Sequence, residues 1–249
     1  GHIGGSLSIV EVLVALYYKH MNVDPSDPKM EGRDRLIVSK GHAGPAVYAT
    51  LANKGFFPKE WLKTLNKSGT NLPSHCDMIR TPGIDMTTGS LGQGFSCAMG
   101  IAYASKLSKD NATIYTIIGD GESQEGQIWE AMMFAASKKL DNLIAFLDLN
   151  RFQIDGAVEE VNGIDPFDLK ASSFNWNVVV CKDGNDIDQV DACIQYAKTL
   201  KNEKPTMIIL NTLKGCGSEY VYSKKAANHN LTLKPEETEL IMKQIREGE

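Results

Sequence analysis

Apolar residues at Ile9, Val12, Leu13 and Leu16 fall on one face of a helix, with Ser8 placed to cap it and Glu11 three residues on to complete a capping box. Residues 24–32, rich in Pro, Asp and Lys, interrupt the pattern as a loop, and residues 35–39 follow as a short strand ending at Gly41-His42. Pro45 suits the first turn of a helix that Gly55 closes. Residues 91–107 form another helical run, with Gly94, Ser96, Ala98 and Gly100 spaced for close packing. From there the period changes. Residues 112–118, 143–149, 177–180 and 206–211 are mostly apolar without alternation, the pattern of strands covered on both faces. Helical stretches at about 124–138 and 186–200 separate them. Buried strands alternating with helices predict an α/β fold, a doubly wound, mainly parallel sheet with helices on both faces. No internal repeat or Gly/Ser linker divides the chain, so residues 1–249 read as a single domain ending in a terminal helix at about 235–247.

Composition narrows the function classes. With 42% hydrophobic and 23% charged residues, the 249-residue chain is long enough to bury a large core. Its net charge of -5, with Lys and Arg scattered among acids, offers no nucleic acid a footprint. No apolar run approaches a membrane span, and residues 1–8 lack the features of a secretory signal, so a cytoplasmic protein is expected. The five cysteines, Cys76, Cys97, Cys181, Cys193 and Cys216, form no CxxC pair and read as reduced thiols. The abrupt Gly-His start suggests that residues precede it.

In a doubly wound sheet, ligands bind beyond the carboxyl ends of the strands. After the strand at 112–118 the run Gly119-Asp120-Gly121-Glu122 turns tightly and presents amide hydrogens at a helix start, where a diphosphate is favoured. Asp120 would repel such a group unless a cation bridged them, and a hard divalent ion fits. Magnesium takes a few oxygens from protein and the rest from phosphate and water; calcium or manganese are alternatives with similar tastes. Asn150 lies 30 residues after Asp120, just beyond the next buried strand, so parallel pairing brings the two side chains to one sheet edge. A backbone carbonyl near Phe152 can supply a third oxygen. The glycine spacing does not match the dinucleotide fingerprint, and the Lys and Ser/Thr of a P-loop are absent. Glu125, at the start of the following helix, is by itself explained as an acid favoured by the helix dipole. Of five histidines, His2, His42, His75 and His229 sit in polar or glycine-rich loops, whereas His20, at a helix end, reads as structural.

The Gly-Asp-Gly turn with its distant Asn resembles the signature of thiamine diphosphate enzymes. Three further segments resemble transketolase motifs in the same order: residues 1–8, Ser39-Lys40-Gly41-His42-Ala43, and residues 81–94. With Thr212-Leu213-Lys214-Gly215, the resemblance to transketolases covers almost the whole chain. It implies a thiamine diphosphate-binding fold of the diphosphate-binding kind. It places His42 and His229 near the diphosphate, with Gly121 and Glu122 in its turn, and His2 and His75 on the substrate channel. Gly89 and Leu91 are implied to touch the aminopyrimidine and Ile154 the thiazole. Glu125, in a matching Gly-Asp-Gly-x-x-x-Glu-Gly run, is implied to lie at a dimer interface and couple paired active sites. Two departures stand out: Asn228-His229-Asn230 where Trp-His-Gly is usual, and Ser74-His75-Cys76-Asp77 where Gly-His-Pro is usual.

The family's aminopyrimidine-activating glutamate, aromatic platform and phosphate-gripping basic residues come from a second domain. The expectation is therefore an amino-terminal subunit of a split transketolase, with a fragment of a longer enzyme as the alternative reading of the same residues. It would transfer a two-carbon ketol unit between sugar phosphates with a partner subunit carrying the pyrimidine-binding domain, in an α2β2 assembly. Alternatives are a deoxyxylulose phosphate synthase, the dehydrogenase component of a 2-oxo acid complex, or a non-catalytic subunit of the same fold.

Overall fold

A computed structural model describes residues 1–248. Five strands form the central sheet: β1 (Arg35–Val38), β2 (Ile114–Gly119), β3 (Leu143–Leu149), β6 (Asn177–Cys181) and β7 (Thr206–Asn211). A separate two-stranded ribbon pairs β4 (Phe152–Gln153) with β5 (Gly156–Ala157). The central order is β1-β2-β3-β7-β6 and every pairing is parallel. The chain thus moves from β1 through β3, jumps to the far edge at β6, and returns to place β7 between them. This is the doubly wound parallel sheet that the apolar runs predict.

Side chains on the strands alternate between two cores although nearly all are apolar. Leu36, Tyr115, Ile117, Ile144, Phe146, Ile208 and Leu210 pack on one face with α2 (Val10–Ala15), α3 (Gly44–Lys54) and α8 (Ile187–Thr199). Ile37, Ile114, Ile118, Ala145, Leu147, Met207 and Ile209 pack on the other with α4 (Gln93–Ser108), α5 (Gly126–Ser137) and α7 (Phe167–Ser173). Because both faces are covered, the period-2 alternation is masked in the sequence. Each fully buried Ile, Leu or Phe here contributes roughly 1.5–3 kcal/mol of hydrophobic stabilisation.

β1 is an edge strand, and its exposed amides are partly spoken for. The Leu36 N–H donates to Asp85 Oδ2 at 2.9 Å, and Arg33 pairs with the same carboxylate. Asp85 therefore pins the long connection between α3 and α4 onto the sheet edge, which blunts that edge. The connection runs back across the end of β1, where the Cys76 N–H donates to the Gly41 carbonyl at 3.2 Å and the Thr88 N–H to the Cys76 carbonyl at 3.1 Å.

One local expectation fails. Residues Ile3–Leu7 already form a short helix, α1, and Ser8 lies between it and α2 rather than capping a single longer helix. The Ser8 hydroxyl donates to the buried Asp148 carboxylate at 2.7 Å, and the Glu11 carboxylate accepts from Asn185 Nδ2 at 3.0 Å instead of closing a capping box. Ser8 closes α1 with helical dihedrals (φ -68°, ψ -15°), not the extended conformation that aims an N-cap hydroxyl at the next helix's amides. The helices at 91–107 and 124–138 begin two residues later than the pattern suggests, the second after a tight turn at Glu122–Gln124. Three short helices, α6 (Val158–Asn162), α7 and α9 (Glu219–Tyr222), carry no clear periodic signal. The terminal helix α10 (Pro235–Glu247) forms as expected, anchored by the Lys234 N–H on Glu237 Oε2 at 2.7 Å and by Gln244 on Ser218. No helix among the described residues is long and apolar enough to cross a membrane.

Candidate active site

The carboxyl ends of β1, β2, β3 and β7 open on one cavity of about 280 Å³. Its floor is the turn after β2. Gly121 is required there, since a Cβ at that position would meet Gln153 Cβ at 2.9 Å. The Asp120 carboxylate is buried and accepts from the Gly121 N–H at 2.8 Å and from the Arg151 N–H at 2.5 Å. Arg151 is held at φ +70°, a left-handed conformation that a residue other than glycine adopts only when its surroundings fix it. Here that bond to Asp120 and the Val158 N–H donating to the Arg151 carbonyl at 3.0 Å hold it on both sides. Burial, then the neighbouring Asp148, pushes the Asp120 carboxyl up to about 7.

Asn150 sits directly after β3, as the strand spacing predicts. Its Nδ2 donates to Asp148 Oδ2 at 2.7 Å, which leaves Oδ1 as the free-standing acceptor, met only by the Phe152 N–H at 3.1 Å. The Phe152 carbonyl accepts from the Lys214 ammonium at 2.8 Å. Asp120, Asn150 and Phe152 line the same cavity, and a carboxylate, an amide and a carbonyl oxygen are the kinds of donor a hard divalent cation takes. Among the described residues no group of three His, Cys, Asp or Glu side chains could hold a metal unaided. A cation here would complete its shell with phosphate and water, and would compensate the buried Asp120 charge.

Four histidines line the wall. The His2 ring lies 5.3, 5.4 and 5.3 Å from those of His42, His75 and His229, and His42 lies 4.9 Å from His229. Burial, reinforced by Lys40, depresses His42 to about 2, and burial with Lys214 depresses His229 to about 4. His2 is lowered by burial and by His75. These three rings are neutral near pH 7, so each offers one donor and one acceptor. At His229 the tautomer follows from its neighbour: the Lys214 ammonium can only donate, Nδ1 lies 3.3 Å away and accepts, and Nε2 carries the proton. His2 Nδ1 is buried without a hydrogen-bond partner among the described residues.

Gly89 and Leu91 line the same cavity, and Gly89 packs so closely on His75 that a Cβ would lie 3.2 Å from its Cδ2. Ile154 stands at the rim, 64% exposed. Of the candidate cofactor, metal and catalytic residues, only Glu125 lies outside the cavity; it is exposed at the start of α5. His20 is elsewhere, paired with Asp191 at 2.8 Å. All five cysteines are free thiols.

Two charged cavity residues, Lys40 and Lys214, had no assigned role in the sequence. Lys40, 1% exposed, reaches Asp148 Oδ2 at 2.6 Å and the Gly5 carbonyl at 2.8 Å. Lys214, also buried, is depressed to about 8 by burial. The available signal was position: Lys40 and Lys214 lie two and three residues after β1 and β7, and Asp120 and Asn150 directly follow β2 and β3. Nothing in composition marks a lysine as buried.

The family description "Transketolase, thiamine diphosphate binding domain" matches residues 1–246. The chain belongs to the transketolase family, and it carries the thiamine diphosphate-binding part of a transferase. More particularly, it is 56% identical over 236 residues to the 6-deoxy-6-sulfo-D-fructose transketolase subunit SqwG of Clostridium sp. (strain MSTE9), covering 95% of this chain and 85% of that one. It is 39% identical over 247 residues to an apulose-4-phosphate transketolase subunit of Actinobacillus succinogenes, covering 99% and 88%. The transketolase structure of Campylobacter jejuni superposes with a TM-score of 0.90 at 31% identity, covering all of this chain but 39% of that one.

Proposed function

We propose that this chain is the amino-terminal subunit of a split transketolase. It holds the diphosphate of the cofactor through the 119–122 turn and a magnesium ion through Asp120, Asn150 and the Phe152 carbonyl. A separate subunit brings the pyrimidine-binding half in an α2β2 assembly, where Glu125 lies at the contact between paired sites. The grouping of Asp120, Asn150 and Phe152 with four histidines around one cavity is the observation that carries the reading. The exposed Ile154 at the rim and the similarity, over most of both chains, to relatives named as subunits support the need for a partner.

The cofactor would supply a carbon nucleophile for a ketose carbonyl and an electron sink for carbon-carbon cleavage. The chain's own residues do the rest. Neutral His2, His42 and His229 provide donors and acceptors for sugar hydroxyls, and the Nε2–H of His229 faces a developing alkoxide as a donor backed by the Lys214 charge. Lys40 and Lys214 offset the negative charge of the diphosphate. His75 and Gly89 narrow the entrance.

The donor we favour is a ketose with an anionic end group, 6-deoxy-6-sulfo-D-fructose before the phosphorylated ketoses, on the strength of the 56% identity to the sulfofructose enzyme subunit. The test is ketol transfer by the chain assembled with its partner, supplied in turn with sulfofructose, fructose 6-phosphate and pyruvate. Faster turnover of sulfofructose is expected; release of carbon dioxide from pyruvate without ketol transfer would overturn the proposal.

A further inference from the structure

The proposed cofactor site draws on two loops that are distant in sequence: the 119–122 turn for the diphosphate, and residues 89–91 for the aminopyrimidine. Their separation matters, because one ligand has to reach both. The side chain that joins them is Glu122. One carboxylate oxygen accepts from the Gly92 N–H at 2.9 Å and from the Ser39 hydroxyl, and the other accepts from the Gly119 N–H at 3.0 Å. Ser39 Oγ in turn accepts from the Phe95 N–H at 2.9 Å. Gly92 precedes α4, a 16-residue helix, and holds φ +82°. Glu122 and Ser39 are 3% and 0% exposed, so the network is shielded from water.

We propose that Glu122 is a positioning residue: its carboxylate clips the start of α4 to the end of β2 and so sets the span between the diphosphate turn and the Gly89-Ser90-Leu91 strip. This rests on the thiamine diphosphate reading of the cavity. The carboxylate itself touches backbone and Ser39, not the ligand. Three donors converge on it, and only an anion with free lone pairs on both oxygens accepts them all. A glutamine of the same shape must turn its NH₂ either toward the Gly92 N–H or toward the Gly119 N–H, donor against donor. One contact then opens, and the strip is free to drift from the turn.

The experiment compares two ligands by calorimetry on the assembled enzyme with saturating magnesium: thiamine diphosphate, which spans both loops, and inorganic diphosphate, which reaches only the turn. Glu122→Gln is expected to weaken thiamine diphosphate about tenfold while changing inorganic diphosphate less than twofold. A purely structural residue would weaken both alike, and that result overturns the clip. Wild type binding neither ligand would instead sink the cofactor reading beneath it. Should Glu122→Gln fail to fold, Ser39→Ala removes one donor and leaves the two backbone contacts; a smaller loss confined to thiamine diphosphate is expected, and no change in the ratio of the two affinities overturns the proposal.

Discussion

The Lys40 ammonium lies 2.6 Å from Asp148 Oδ2, and the two side chains are 2% and 0% exposed. Asp148 also accepts from Ser8, Asn150 and Thr212. Burial pushes its carboxyl up, but Lys40 and the hydroxyls of Thr212 and Ser8 outweigh burial and hold it below the usual carboxylate range. The pair therefore ties β1, β3, β7 and α1 together under the cavity. By claiming the amide NH₂ of Asn150, Asp148 also decides which way the Asn150 oxygen points.

Breaking such a pair leaves a charge stranded in a low-dielectric interior. Asp148→Asn and Lys40→Met are each expected to cost about 3–5 kcal/mol, because removing one partner exposes the full desolvation penalty of the other. The double variant Lys40→Met with Asp148→Leu should recover much of that loss. Urea denaturation monitored by circular dichroism checks this; additive losses in the double variant would show that the two charges do not compensate one another.

Asp120 behaves in the opposite sense. With its carboxyl raised to about 7, the folded chain keeps a proton that the unfolded chain has lost. Its contribution to metal-free stability is whole below about pH 4 and is lost as pH rises to about 7, the sign for a raised acid. Asp120→Asn should therefore raise the metal-free Tm at pH 8 while abolishing magnesium-dependent cofactor binding. Magnesium should bind more tightly as pH rises toward 7, with proton release measurable by calorimetry in buffers of different ionisation enthalpy. A Tm unchanged by Asp120→Asn and an affinity independent of pH would contradict this.

The histidine wall predicts an acid limb. His42 and His229 are depressed to about 2 and about 4, so their contribution to stability is complete above about pH 6.5 and falls away below it, as the unfolded chain gains protons that the native state refuses. His42→Asn should flatten the loss of stability between pH 6.5 and 4, read as the urea midpoint against pH. An unchanged slope would mean the ring is solvated in solution.

Close backbone approach gives a third kind of prediction. A Cβ at Gly94 would lie 2.8 Å from Ser39 Cα and from Thr88 Cγ2. Gly94→Ala should destabilise by about 1–3 kcal/mol through overpacking, despite the better helix propensity of alanine. A gain in Tm would show that the α4 start shifts freely.

Much of the architecture was legible because parallel strands covered on both faces leave uninterrupted apolar runs, as in Ile114–Gly119 and Leu143–Leu149. What escaped was structure made by tertiary partners. Ser8 looks like a helix cap in isolation, but a buried Asp148 lies 140 positions away and takes its hydroxyl. At the site, glycines that turn and an Asn after a strand leave local marks, so Gly121, Asp120 and Asn150 could be found. Lys40 and Lys214 leave only their place after a strand, since a buried lysine is defined by what surrounds it. Glu122 was legible as part of the diphosphate turn, yet the direction of its carboxylate, away toward Gly92, depends on an α4 that begins about 30 residues earlier in the chain.

The central claim is that this chain supplies the diphosphate and metal half of a catalyst whose other half lies on a partner. It is tested most directly by measuring ketol transfer with thiamine diphosphate and magnesium for the chain alone, the pyrimidine-binding partner alone, and the two mixed. The account predicts turnover only in the mixture, abolished by Asp120→Ala. Full-rate transfer by the chain alone, or turnover in the mixture that survives Asp120→Ala, would contradict it.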